Sequence, residues 1–137
     1  MAKIKLGNRP ESFKPFPVKF IMPDGEDGVI TSTYKYRTRN EWAAYRETML
    51  NDAKKQAVEK QESSADEEDK DVGFLQQFVK SSDEAKVCYL LGAMTKWDLD
   101  IPLNKESLLQ LVNEIPACGE ALALSYDAAC RDGRLGN

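Results

Sequence analysis

Residues 60–71, KQESSADEEDKD, hold no apolar side chain except Ala65, and within 62–71 six acids stand against Lys70 alone. A run of that composition cannot bury enough apolar surface to offset the entropy lost on ordering it. It therefore divides the chain into a front and a back part. At 137 residues the chain suits one domain, so both parts are expected to contribute to it.

In front, residues 1–16 carry Lys3, Lys5, Arg9 and Lys14 among Gly7, Pro10 and Pro15 and are expected to form a flexible basic arm. PVKFIM (17–22) alternates, with Val18, Phe20 and Met22 on one side. PDGEDG (23–28) is dense in turn formers, and VITSTYKYR (29–37) is rich in β-branched and aromatic residues. The three pieces predict a β-hairpin. A lone hairpin is marginal in water, so its apolar face needs a cover. Thr38 and Glu41 have the spacing of a capping box, which opens a helix over 39–61. Trp42, Tyr45, Met49, Ala53 and Ala57 line one stripe of that helix. The expected place for Trp42 and Tyr45 is the core, against the hairpin; the other option is an exposed docking site.

Behind the acidic linker (62–71), residues 72–137 read as the helical part of the same domain. Phe74, Leu75, Phe78 and Val79 mark a short apolar helix. Ser81 and Glu84 repeat the capping-box spacing and predict a helix to about Lys96, with Val87, Cys88, Leu91 and Met94 inward. Pro102 then disfavours helix at Ile101. Asn104 is a good N-cap, and Leu103 and Leu108 have hydrophobic-staple spacing. Leu108, Leu111, Val112 and Ile115 share one helical face until Pro116 interrupts. A last, alanine-rich helix covers about 117–130, packing through Leu122, Tyr126 and Ala129, with Gly133 sufficient to end it. The expected fold is mainly α (α+β), an N-terminal β-hairpin packed on a bundle of about five helices.

The chain has no histidine, which removes Ser-His-Asp triads, Cys-His dyads and the common zinc motifs. It has no CxxC, P-loop or GxGxxG. The pairs Asp66/Glu67 and Asp98/Asp100 lack the glycine and glutamate spacing of a calcium loop and read as solvated surface. Cys88, Cys118 and Cys130 are odd in number and lie in separate apolar contexts, so buried free thiols are expected rather than a disulfide framework. No catalytic residue, cofactor or metal is expected, and no enzyme. No run approaches the ~18 apolar residues of a membrane helix, and the start lacks a signal peptide's apolar core; the cytoplasm is the expected compartment.

Charge is uneven. Residues 1–61 carry 12 basic and 8 acidic side chains, while residues 72–137 carry 6 basic and 9 acidic. One functional alternative follows, a small nucleic-acid-binding regulatory protein using the basic arm with Arg37, Arg39 and Arg46. No recognition-helix or RNP pattern accompanies those arginines.

The order of the pieces is more specific than any one of them. A strand pair around PDG runs into YKYRTRNEW, and a helix and a polar linker follow. The chain then ends KWDLDIPLNKESLLQLVNEIPACGEALALSYDAACRDGRLGN. From Val18 to Asn137 this resembles the tail assembly chaperones of long-tailed bacteriophages. The best of the match is Trp97-Asp98-Leu99, the helix start Pro102, Leu103 and Glu106, and the Ala/Tyr-rich last helix ending in Gly-Asn. The acidic linker is a departure from that pattern.

The resemblance implies a non-catalytic late protein of virion assembly that works in the host cytoplasm and is absent from the mature virion. It implies binding and solubilising of the tape measure protein and help in recruiting tail tube subunits. Many copies on one long client imply a homo-oligomer. The candidate partner-binding residues are Trp97, Leu99, Leu103, Leu109 and Trp42, with Trp97 and Leu99 open between core plug and docking surface. The family also implies a translational frameshift giving a longer product that contacts tube subunits. Leu135-Gly136-Asn137 permits the slippery heptamer G-GGA-AAC, while other codons encode the same residues.

Overall fold

In the computed structural model, residues 6–7, 9–63 and 70–133 are described. The remainder of the basic arm, the centre of the acidic linker (64–69) and the terminal Leu135-Gly136-Asn137 lie outside them. Among the described residues the chain forms three strands and four helices: β1 (Phe16–Ile21), β2 (Asp27–Tyr34), α1 (Arg39–Ser63), α2 (Lys70–Ala93), β3 (Met94–Trp97), α3 (Lys105–Glu114) and α4 (Pro116–Asp132).

The hairpin forms where alternation and turn chemistry agree. β1 and β2 are antiparallel, with Val18 opposite Ile30 and both buried. Pro23 presets its own φ, Asp24 Oδ1 accepts from the Glu26 N–H at 3.0 Å, and Gly25 takes the left-handed φ of 89°. The Gly25 N–H donates to the Met22 carbonyl at 2.8 Å, closing a three-residue loop. Ile21 and Val29 lie on the outer face, more than half and nearly half exposed.

The hairpin is not left two-stranded. β3 adds antiparallel to β2, pairing Ser32 with Trp97 and Tyr34 with Met94 across a register shift at Thr33/Tyr34. The sheet order is β1-β2-β3. This corrects the expected helix to Lys96: α2 ends at Ala93, and the Lys35 N–H donates to the Ala93 carbonyl at 2.7 Å as the chain turns into the strand. α4 packs on β1, so the sheet is covered by the last helix. Trp42 and Tyr45 instead meet Tyr89 and Asp127, on α2 and α4.

Four helices replace the expected five because the segments at 74–79 and 84–96 are one helix, α2. Ser81 sits within it, since its capping-box spacing with Glu84 is outweighed by helix formers on both sides. The phase of α2 also differs from expectation. Val87, Leu90, Ala93 and Met94 are buried, whereas Cys88 and Leu91 are exposed. The run VCYLLGA is apolar all round, so period alone cannot choose its inner face.

The other helix ends follow local chemistry. In the capping box, the Thr38 N–H donates to Glu41 Oε1 at 3.0 Å, and the Glu41 N–H donates to Thr38 Oγ1 at 3.2 Å. These bonds and Arg9 beside it hold the Glu41 carboxyl below the usual range. Asn104 Oδ1 accepts from the Ser107 N–H at 2.9 Å. Pro116 occupies the first turn of α4, and Gly133 ends that helix at φ 76°. Between α3 and α4, a Cβ at residue 119 would stand 2.8 Å from Val112 Cγ2, so Gly119 permits their close approach.

Candidate functional site

The elements meet in a polar and aromatic hub at the edge of the apolar core. Arg37, three residues beyond β2, donates to the Gly92 carbonyl at 2.9 Å and to the Tyr126 hydroxyl at 2.7 Å. Its guanidinium lies 3.8 Å from the Tyr45 ring centroid, a close cation–π contact. Asp127 accepts from the Tyr89 hydroxyl and, at 3.1 Å, from Trp42 Nε1, and it pairs with Arg46 at 3.3 Å. Three helices are thereby tied to one carboxylate. Burial pushes the hydroxyls of Tyr34, Tyr45, Tyr89 and Tyr126 above their ordinary range, and for Tyr89 the bond to Asp127 adds to it. Burial also pushes the Cys118 thiol up to about 12 and raises Cys130.

This hub is architecture. It uses two of the three arginines on which a nucleic-acid role would depend: Arg37 is committed to Gly92, Tyr45 and Tyr126, and Arg46 to Asp127. Arg9 of the basic arm pairs with Glu41 at 2.8 Å. Phosphate binding there would have to displace these contacts.

The five candidate partner-binding residues separate. Trp97 is 7% exposed, and its Nε1–H donates to the Ile101 carbonyl at 2.7 Å, so it plugs the core beneath the 98–104 loop. Leu99 and Leu103 are half-buried and pack on the same core. Trp42 is half-buried in the hub. Leu109 lines an open groove.

That groove lies between the first half of α2 and α3. It has a volume of about 640 Å³, with Leu75, Val79 and Leu109 as its apolar surface and Gln76, Gln110 and Asn113 among its polar lining. Leu75 is 67% exposed and Val79 48% exposed. Placing Leu75 and Val79 on a helix was possible from sequence; placing them on its outside was not. The signal that could have found them is their i, i+4 spacing in a segment flanked by charge, which marks one helical stripe without saying what covers it. A smaller cavity of about 240 Å³ lies between α1, α2 and α4, beside Leu50 and Asp127.

Compared with known proteins, the whole chain, residues 1–137, matches a family model described as phage tail assembly chaperone. No curated protein and no solved structure matches it.

Proposed function

The chain belongs to the phage tail assembly chaperone family, and from that premise we propose that it binds the tape measure protein, keeps it soluble, and helps bring tail tube subunits to it. It acts in the host cytoplasm as a homo-oligomer and leaves before the virion is complete. The longer frameshifted product contacts the tube subunits. The observation that carries this reading is the family match along the full chain. The apolar groove between α2 and α3 supports it, because a long helical client exposes apolar stripes that aggregate unless covered.

Client binding is hydrophobic in character and needs no chemistry from the chaperone. Among the described residues, no helix is long and apolar enough to cross a membrane. The test is co-expression of a tape measure fragment with and without this chain. The fragment should move from the pellet to the soluble fraction and co-purify with the chain. A fragment that stays insoluble, or is soluble but never co-purifies, would argue against the assignment of this client.

A further inference from the structure

We infer that the open edge of β1 pairs antiparallel with the same edge of a second copy, joining two three-stranded sheets into one; this deepens the homo-oligomer of the reading above and rests on it. Backbone phase fixes which groups the edge offers. The Met22 N–H donates to the Glu26 carbonyl at 2.7 Å, and the register continues with Phe20 opposite Gly28 and Val18 opposite Ile30. Counting back in twos from Met22, residues Phe20, Val18 and Phe16 turn their N–H and C=O groups toward β2. Pro17, Lys19 and Ile21 therefore turn theirs away from it. Among the described residues no strand stands on that side. The same count places the Thr31 N–H outside the β1 ladder, and Asp98 Oδ1 accepts from it at 3.0 Å. Pro17 falls on the open side, where the β1–β2 ladder needs no N–H from it.

The edge fits its own copy in one register. The donors it offers are the Lys19 and Ile21 N–H groups, since Pro17 has none. A twofold axis at Phe20 sets Lys19 against the second copy's Ile21 on both sides of the axis, and each such pair exchanges both backbone bonds. An axis at Lys19 would oppose the two lysines, and an axis at Val18 would set Pro17 against Lys19. Each of those leaves a bond unmade or like charges opposed. The ring of Phe20 leans over its own Gly28, where a Cβ would stand 2.6 Å from Phe20 Cε2, which leaves the axis clear.

Charge selects the same arrangement. At the front end of β1, Lys14 and Lys35 are exposed beside Glu11. Arg131 and Asp132, next to Gly133 in the same corner, pair with each other at 3.6 Å. The hairpin turn at the other end exposes Asp24, Glu26 and Asp27 and holds no base. Antiparallel pairing lays each acidic turn beside the other copy's basic end, whereas parallel pairing would lay like on like. Ile21 is 63% exposed. The stem of the second copy's Lys19 would cover it, with the ammonium directed to Asp27, the cross-strand neighbour of Ile21.

The test is sedimentation of the full chain over a micromolar concentration series. Ile21→Lys sets lysine against Lys19 in both pairs, and Ile21→Glu sets an acid there. Both changes are made at one exposed site, so the two variants should melt alike. The dimer should be at least about tenfold weaker with lysine than with glutamate. Adding Lys19→Glu to Ile21→Lys opposes unlike charges again and should restore the dimer, a rescue that a merely structural role for Ile21 would not give. Register is read separately in a Cys88→Ser background, which removes the exposed native thiol. Paired Lys19 and Ile21 positions stand about 5.5 Å apart at Cα, within disulfide reach. An equimolar mix of Lys19→Cys and Ile21→Cys chains should therefore oxidise to a covalent dimer faster than either chain alone.

A chain that stays monomeric throughout would overturn the inference, as would a dimer equally strong in both Ile21 variants. Cross-linking as fast in the separate chains as in the mix would refute the register. Where the dimer is absent and a tape measure fragment is still solubilised, the edge pairing falls and the client assignment stands. Where the dimer follows the charge swap and no fragment is solubilised, the client assignment falls and the edge pairing stands.

Discussion

Tyr45 of α1 lies so close over Gly92 of α2 that a Cβ at residue 92 would stand 2.9 Å from the Tyr45 ring carbon Cζ, and nearer still to its hydroxyl. The hydroxyl donates to the Tyr89 carbonyl at 2.5 Å, and the Gly92 carbonyl accepts from Arg37. A glycine at the C-terminal end of α2 therefore sets how closely α1, α2 and the end of the sheet approach.

Gly92→Ala is expected to destabilise the fold by about 1–3 kcal/mol in urea unfolding, as overpacking does. In an unconstrained helix the same change would stabilise by roughly 0.5–1 kcal/mol. Tyr45→Phe alone should cost about 1 kcal/mol, through its lost hydrogen bond. In the double variant the collision with the hydroxyl is gone, so the two effects should sum to less than their separate values. Simple additivity would show that the clash is not the cause.

Alkaline stability should fall steeply. Tyr34, Tyr45, Tyr89 and Tyr126 all have hydroxyls raised above the ordinary value of 10.0, chiefly by burial. The unfolded chain releases these protons near pH 10, and the folded chain holds them to higher pH. Their contribution is therefore fully present below pH 10 and is lost as pH rises from there toward the folded values. Tyrosinate absorbance from these residues should appear together with loss of near-ultraviolet circular dichroism. A tyrosinate signal from all of them near pH 10 with the dichroism intact would contradict their burial.

Trp97→Ala should act on stability before it acts on binding. Deleting a large buried aromatic costs about 3–5 kcal/mol, much of the stability of a small domain. Trp97→Phe keeps most of the volume and loses the bond to Ile101, so its cost should be nearer 1 kcal/mol in the same melt. A Trp97→Ala protein as stable as its parent, with only client binding impaired, would assign this side chain to docking instead.

Thiol reactivity should resolve the three cysteines. Cys88 is exposed on α2, while Cys118 and Cys130 are buried with raised pKa values. One thiol should react rapidly with an aromatic disulfide reagent at neutral pH, and the other two only after unfolding, since the thiolate is the attacking species. Three equally fast thiols would mean that α4 is not seated as described.

What the sequence determined by itself is the set of features closed within a few residues. The capping box of Thr38 and Glu41, the Asn104 cap, the turn at Pro23-Asp24-Gly25 and the glycine stop at 133 each depend on groups three or four positions apart. All could be read before any folding. The α+β character and the α3 face through Leu108 and Val112 were legible for the same reason.

Tertiary structure decided the rest. Met94–Trp97 forms a strand because β2, more than sixty residues earlier, offers an open ladder, and Thr95 gives its hydroxyl to the Thr33 carbonyl. The same pairing turns Trp97 into the core. The inner face of α2 was chosen by partners on other elements: Gly92 meets Tyr45, and Tyr89 meets Asp127 of α4. Leu75 and Val79 are left exposed along one wall of the groove, with Leu109, Gln110 and Asn113 of α3 along the other. A pattern of apolar residues states that a face wants covering. Which element covers it, and which face remains open for a partner, depends on contacts between residues distant in the chain, and no local spacing encodes those.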